Sequence, residues 1–283
     1  MCGHFAGDKG ITISWMLAVS GITLVAPGPA PTQREGHALQ DREVVEQDRP
    51  AAEVMNNRII EVVGRDIATG SLEPGSRLTL EGLQERFGVS RTVVRDCMQI
   101  LEALGLVYSK RRIGIVVQES ARWNVYDPRI IRWRLSGPGR SRQFESLTEL
   151  RIAVEPLAAA GAARSASPEQ RRDLVRLARR MREDAADPEA FLAADIAFHA
   201  LLLQASGNEM FASLSGAVGE VLSGRSRQDL MPPGGPRPEA LDEHEAIAAA
   251  VADRDPAAAR ARTADLLLEV EDAILRRGQS PAP

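Results

Sequence analysis

Cysteine is scarce in this chain: two in 283 residues, Cys2 and Cys97, in unrelated surroundings. That excludes a disulfide framework and any CxxC zinc pattern, and it suits a reducing cytoplasm. Aromatic residues make up only 4%, while Ala and Leu are abundant, which favours helical packing. A positive excess is missing too, since the net charge is −4. A general nucleic-acid coat is thereby excluded, although a DNA reader with its basic residues gathered on one small element is not. Long apolar runs are limited to Ile11–Ala26, which is uncharged. It is short for a membrane span and has the length of a secretory leader's core. The alternative is a start codon placed too far upstream, and it is preferred because the remainder reads as cytoplasmic. Residues 1–50 are accordingly expected to be a disordered or mis-annotated extension, the Pro-, Gly- and charge-rich stretch 28–50 included.

What is present begins at Ala51. Val54, Ile59, Ile60, Val63 and Ile67 recur at helical spacing and Gly70 supplies a stop. Pro74-Gly75 marks a turn before a short extended piece. Leu80 to Phe87 reads as a second helix closed by Gly88. Ser90 stands as N-cap of a third helix that runs to about Leu104 and is closed by Gly105. LVYSKRRIGIVV then reads as a hairpin with a basic tip, Lys110-Arg111-Arg112. Helix, short strand, helix, tight turn, helix and hairpin is the order of a winged helix-turn-helix. Val94, Cys97, Met98, Leu101 and Leu104 form the expected buried stripe of the third helix. Arg91, Thr92 and Arg95 lie opposite it, where a recognition helix meets base edges and phosphates. A solvated helix face also carries arginines; the turn chemistry and the basic tip favour DNA.

The stretch ARWNVYDPRIIRWRLSGPGRSRQ follows as a linker, 119–143, whose Trp123 and Trp133 are too costly for a free tether and should dock on a neighbouring domain. Beyond it, helices are expected at about 144–165, 168–184, 188–206, 208–228, 238–254 and 256–276, with no strand pattern. The fold class is therefore mainly α, a winged helix-turn-helix over 51–118 followed by an antiparallel α-helical bundle over 144–278.

Two polar intrusions mark the bundle. Arg151 interrupts the apolar face Leu147, Leu150, Val154, Leu157 and Ala158, and a buried arginine needs a carboxylate, from Glu155 or from a ligand. Asp195 and His199 share the face of Phe191, Phe198 and Leu202 at i, i+4 spacing, as a hydrogen-bonded pair or as part of a metal chelate. His244, on a later helix, is the other histidine available.

PGSRLTLEGLQERFGVSRTVVRDCMQILEALGLV resembles the N-terminal domain of the GntR family of bacterial repressors. ELRIAVEPLAA, DIAFHALLLQASGN and DEHEAI with DPAAARART resemble the FCD effector domain of the FadR-type subfamily. WNVYDPRIIRWRL is similar to regulators of sugar-acid catabolism, those for galactonate among them. The resemblance implies operator contacts from Ser90, Arg91, Thr92 and Arg95, and from Arg111, Arg112 and Gly114 in the wing. It implies a homodimer on a palindromic operator, and a small carboxylate effector such as a sugar acid facing Arg151. It further implies a divalent metal, zinc or similar, on Asp195, His199 and His244. Two departures stand out. Glu81 occupies a position where some relatives place a DNA-contacting arginine, and Asp265-Leu266 stands where a further histidine is expected, Asp265 offering an oxygen in its place. The rival function is a metal-dependent hydrolase on Asp195, His199 and His244, which lacks a nucleophile motif; a membrane or secreted protein would rest on residues 9–30 alone.

Overall fold

The computed structural model describes residues 49–227 and 235–278, all within one compact unit. The expectations for residues 1–48, the apolar run Ile11–Ala26 among them, lie outside the described residues. The first helix, α1 (Arg49–Ala68), buries Ile59, Ile60, Val63 and Ile67, whereas Val54, expected on the same face, is exposed. Periodicity identifies an apolar stripe but not where its cover ends, and here Met55 is partly covered and full burial begins at Ile59. After β1 (Arg77–Leu78), helix α2 (Leu80–Phe87) starts on Thr79, whose hydroxyl accepts from the Gly82 N–H at 3.0 Å. It stops at Gly88, whose φ of 66° places it in the left-handed region while its N–H bonds Gln84 O. Helix α3 (Arg91–Ala103) is capped by Ser90 and buries Val94, Cys97, Met98 and Leu101.

The wing is larger than a hairpin. β2 (Val107–Lys110) and β3 (Gly114–Val117) pair antiparallel, and β1 joins the free side of β3 to give the order β1-β3-β2. A two-residue strand is too short to read as more than an extended piece in sequence.

The stretch read as a linker contains a 3₁₀ turn at Ser120–Arg122 and an eight-residue helix, α4 (Pro128–Leu135). Asp127 caps this helix and its Pro128 fits the first turn, where an N–H has no partner to lose. Its two faces serve two cores. Ile130 and Trp133 enter the core of α1–α3 and the wing, while Ile131 and Leu135 pack with Phe144, Leu147, Ala217 and Val221 of the bundle. Trp133 lies so close over Gly64 that a Cβ there would sit 2.3 Å from its ring.

The bundle comprises α5 (Arg140–Ser165), α6 (Pro168–Glu183), α7 (Pro188–Ala205), α8 (Glu209–Ala212), α9 (Ser215–Arg227), α10 (Pro238–Ala252) and α11 (Pro256–Gly278). The single helix expected over 208–228 is thus two. Ser213 and Ser215 each donate their hydroxyls to carbonyls three residues back, Met210 O and Ala212 O, a local bonding that competes with helix continuation. Leu157, expected in the buried stripe of α5, is exposed, and Gln143, Thr148 and Glu155 are buried instead. Among the described residues no helix is long and apolar enough to cross a membrane.

Candidate nucleic-acid interface and buried metal centre

The recognition surface is set by what holds α3 in place. Its apolar face fills the core, so Arg91, Thr92 and Arg95 project from the opposite face and are exposed. Ser90 Oγ accepts from Val93 N–H at 3.4 Å, which anchors the first turn. Glu102, at the other end of α3, accepts from the Ser109 N–H at 3.1 Å and from its hydroxyl at 3.3 Å, fixing the wing relative to the helix. The tip residues Lys110, Arg111 and Arg112 are exposed, and Arg112 holds a left-handed φ of 66°. Gly114 has φ 103°, and a Cβ there would approach Leu78 O to 2.9 Å, so the turn back into β3 requires glycine. Glu81, the departure noted in the sequence, lies 3.2 Å from Arg91 Nη1. Both groups are well exposed, so the pair is weak and solvent-screened.

The second cluster lies inside the bundle, on three helices. α5 supplies Arg151 and Glu155, α7 supplies Asp195 and His199, and α10 supplies His244; all five are buried. Arg151 Nε donates to Glu155 Oε1 at 2.6 Å, and its Nη2 donates to Oε2 at 3.3 Å. Of the two carboxylate sources open to Arg151, the chain's own is in place. Glu155 has a second task that sequence reasoning missed: its Oε2 lies 2.8 Å from His199 Nδ1. The signal was present as Glu155 itself, but its approach to His199 is a contact across 44 positions that no local spacing reveals. Burial by itself pushes the Glu155 carboxyl up, yet Arg151 and His199 hold it down at about 2.

The two histidines are oriented by hydrogen bonds at their far nitrogens. Nδ1 of His199 faces Glu155, and Nδ1 of His244 donates to the Ala240 carbonyl at 2.6 Å. Each acceptor calls for a hydrogen on Nδ1, so in the neutral rings Nε2 presents a lone pair. These nitrogens stand 3.3 Å apart, and Asp195 Oδ1 lies 3.2 Å from one and 3.5 Å from the other. Asp195 Oδ1 is buried without a hydrogen-bond donor. Three acceptor atoms therefore converge on one point, which demands either a proton or a cation. Ligands held at about 2.0–2.1 Å around a tetrahedral metal stand about 3.3–3.4 Å apart, and the observed triangle has that size. Without a metal a proton takes the place: burial disfavours charge on His199 and Arg151 opposes it, but Glu155 and Asp195 prevail and raise its pKa. Burial pushes Asp195 upward, and the histidines more than reverse it, leaving this carboxyl well below its usual range.

Asp265 does not complete the set. It is exposed, while its neighbour Leu266 is buried in the apolar core with Phe198 and Leu202; adjacent helix positions face about 100° apart, so both cannot look inward. Among the described residues the cluster with metal-ligand geometry is Asp195, His199 and His244.

Residues 56–117 match the family described as bacterial regulatory proteins, gntR family, and residues 146–269 match the FCD domain. The galactonate operon transcriptional repressor of Escherichia coli (strain K12) is 31% identical over 204 residues, covering 72% of this chain and 89% of that protein. The chain belongs to the GntR family of bacterial transcription regulators. A second relative, the HTH-type transcriptional regulator LutR of Bacillus subtilis (strain 168), is 31% identical over 216 residues, covering 74% of this chain and 95% of that one. The Uxu operon regulator of Haemophilus influenzae is 30% identical over 158 residues, 56% of each chain.

This GntR regulator thus pairs a winged helix-turn-helix with a helical FCD domain, as the sequence patterns led one to expect. Its relatives are regulators of transcription and not enzymes, so the hydrolase reading of Asp195, His199 and His244 is not supported. The cluster remains able to hold a metal by geometry and donor chemistry.

Proposed function

We propose that this GntR/FCD regulator is a repressor whose hold on its operator is controlled by a small carboxylate metabolite of the sugar-acid class. Residues 51–118 would bind DNA, 119–143 would couple the halves, and 144–278 would receive the effector. Arg91, Thr92 and Arg95 would meet the major groove with Ser90 capping, and Arg111, Arg112 and Gly114 would place the wing at the adjoining minor groove. Two copies on a palindrome would double the contact area and set the half-site spacing. The name of one relative, the galactonate operon repressor, supports the sugar-acid class.

The observation that carries the effector reading is the convergence of Asp195 Oδ1, His199 Nε2 and His244 Nε2 beside the buried Arg151. A divalent cation held there would supply a positive anchor for a carboxylate, with one coordination position left open by the leucine at 266. Arg151 would contribute a two-pronged donor to the same carboxylate, in exchange for part of its bonding to Glu155. Glu155 would then be left to His199, keeping that ring's Nε2 aimed inward. Only a difference in effector affinity between the DNA-fitting shape and the other can move the operator equilibrium.

The test is fluorescence anisotropy on the operator, titrated with a panel of aldonates and uronates, for the wild type and Arg151→Ala. At least one acid should release the wild type, with the variant still binding DNA but unresponsive. A panel without effect on the wild type would sink the sugar-acid reading, and loss of DNA binding by the variant would mark Arg151 as structural.

A further inference from the structure

Among the described residues three side-chain hydroxyls are buried, all in the bundle, and two of them are satisfied. Thr263 donates to Ala259 O at 2.8 Å and Ser206 to Leu203 O at 2.6 Å. The third belongs to Thr148 on α5, which is 4% exposed and meets no hydrogen-bond partner among the described residues. The usual refuge of a helical threonine is the carbonyl four residues back, the bond that Thr263 makes. Thr148 does without it.

The surroundings make that costly. Phe144 and Leu147, one turn earlier, pack into the apolar cluster with Ile131, Leu135, Ala217 and Val221. A valine would fill the same shape with no polar atom to desolvate. On its other side Thr148 has polar company. Thr148, Arg151 and Glu155 stand at i, i+3 and i+7, on one face of α5, with the Cβ atoms of Thr148 and Arg151 about 5–6 Å apart. Arg151 and Glu155 reach the cluster of Asp195, His199 and His244 through the Glu155 contact with His199. The partnerless atoms that are sealed from solvent are others, Asp195 Oδ1 among them, so the Thr148 hydroxyl borders room for a water-sized group.

We propose that Thr148 reads a hydroxyl on the effector's carbon chain and so selects hydroxylated acids over their deoxy counterparts. The inference rests on the reading of Arg151 as the seat of the carboxylate. With the carboxylate at Arg151, the adjoining polar group on the same face of α5 is Thr148. A threonine hydroxyl both donates and accepts, which matches another hydroxyl, and it brings no charge to a second carboxylate. An analogue without that hydroxyl would enclose the Thr148 hydroxyl unpaired, and this is how a site built for a hydrogen bond discriminates.

Isothermal titration calorimetry on the full-length protein measures the binding of galactonate, gluconate and glucuronate, and of the monodeoxy forms of each acid that binds. The proteins are the wild type, Thr148→Val and Thr148→Ser. In the wild type one monodeoxy form should bind about twofold to tenfold more weakly than its parent, the worth of one neutral hydrogen bond. Thr148→Val should weaken the parent acid by a similar factor and no longer distinguish it from that form, while Thr148→Ser keeps the distinction. Without ligand, Thr148→Val should melt no lower than the wild type, because the hydroxyl it removes has no partner; a structural hydrogen bond would give the opposite. Parent affinity unchanged in Thr148→Val, or a discrimination that survives there, overturns the proposal and leaves the Arg151 reading intact. Binding of none of the acids by the wild type overturns both. If Thr148→Val fails to fold, Thr148→Ala is compared with Thr148→Ser on the same criteria.

Discussion

Arg95 sits one turn into α3, exposed, on the face opposite Val94 and Met98, and has no carboxylate partner among the described residues. Arg91 shares its charge with Glu81. Arg91→Ala or Arg95→Ala should each weaken operator binding by about 1–3 kcal/mol, read by gel shift at fixed salt. Unchanged affinity would remove the residue from the interface. Glu155 is the other residue with a sharp expectation. Its carboxyl is held at about 2 against an ordinary 4.5, so it binds its proton less readily folded than unfolded. The stabilisation is therefore complete above 4.5 and is lost as pH falls from there through about 2. Glu155→Gln leaves Arg151 buried without a counter-charge and should cost about 3–5 kcal/mol in urea unfolding at neutral pH. It should also flatten the acid limb of the stability profile, and a variant with the wild-type limb would contradict the assignment. At this scale the sequence was readable where partners are near in the chain. The turn around Gly88 and the cap at Ser90 are local, and Asp195 with His199 needs only helical spacing. His244 came from the family resemblance, and the Glu155–His199 contact from neither, because both depend on how distant helices cross.

At the scale of elements, α4 decides most. Eight residues with three arginines among them hardly read as a core helix, yet Trp133 is buried and its Nε1 donates to Glu61 Oε2 at 2.7 Å. Arg132 reaches Glu61 at 2.5 Å on one side and Glu220 on α9 at 3.0 Å on the other. α9 packs along α7, which carries Asp195 and His199, so an unbroken line of contacts joins the buried cluster to α1 and α3. Gly64 sets the closeness of that joint. Gly64→Ala would gain helix propensity but drive a methyl group into the Trp133 ring, and the clash should dominate with a net loss of about 1–3 kcal/mol. Equilibrium denaturation followed by tryptophan fluorescence checks it; a neutral or stabilised variant would mean that the joint is looser than its geometry. The docking of both tryptophans was foreseen from their presence in a supposed tether. The helix that delivers one of them was hidden by its polar composition.

For the whole molecule, the acidic average conceals a division of labour. Exposed basic residues stand at the start of α3 and on the wing tip, while the bundle interior keeps its charges in closed groups such as Arg151, Glu155 and His199. A metal in the Asp195, His199 and His244 cluster would compete with the proton that His199 otherwise favours. Zinc added to metal-free protein near neutral pH should therefore release protons, read by calorimetry in buffers of different ionisation enthalpy. His244→Ala should bind zinc at least about tenfold more weakly, and equal affinity in the two proteins would detach the metal from this cluster. The general architecture was legible because helices with turn signals between them announce a bundle. Val54 and Leu157 were misplaced because an apolar stripe says which side of a helix avoids water, and only the tertiary structure says how much of that side is covered.

The seat of Trp133 over Gly64 also says where the gene can be cut. The family match for the DNA-reading part ends at residue 117, but the core of that part includes Ile130 and Trp133. A fragment stopping at 118 would be born with a vacant slot along α1 and with Glu61 deprived of both its donors. One ending after Ser136 would carry its own plug. The longer fragment should be soluble, show a cooperative melt and bind half-site DNA, and the shorter one should not; equal behaviour of the two would show that the slot can close by itself. The smallest portable DNA reader in this chain is thus set by the reach of one indole.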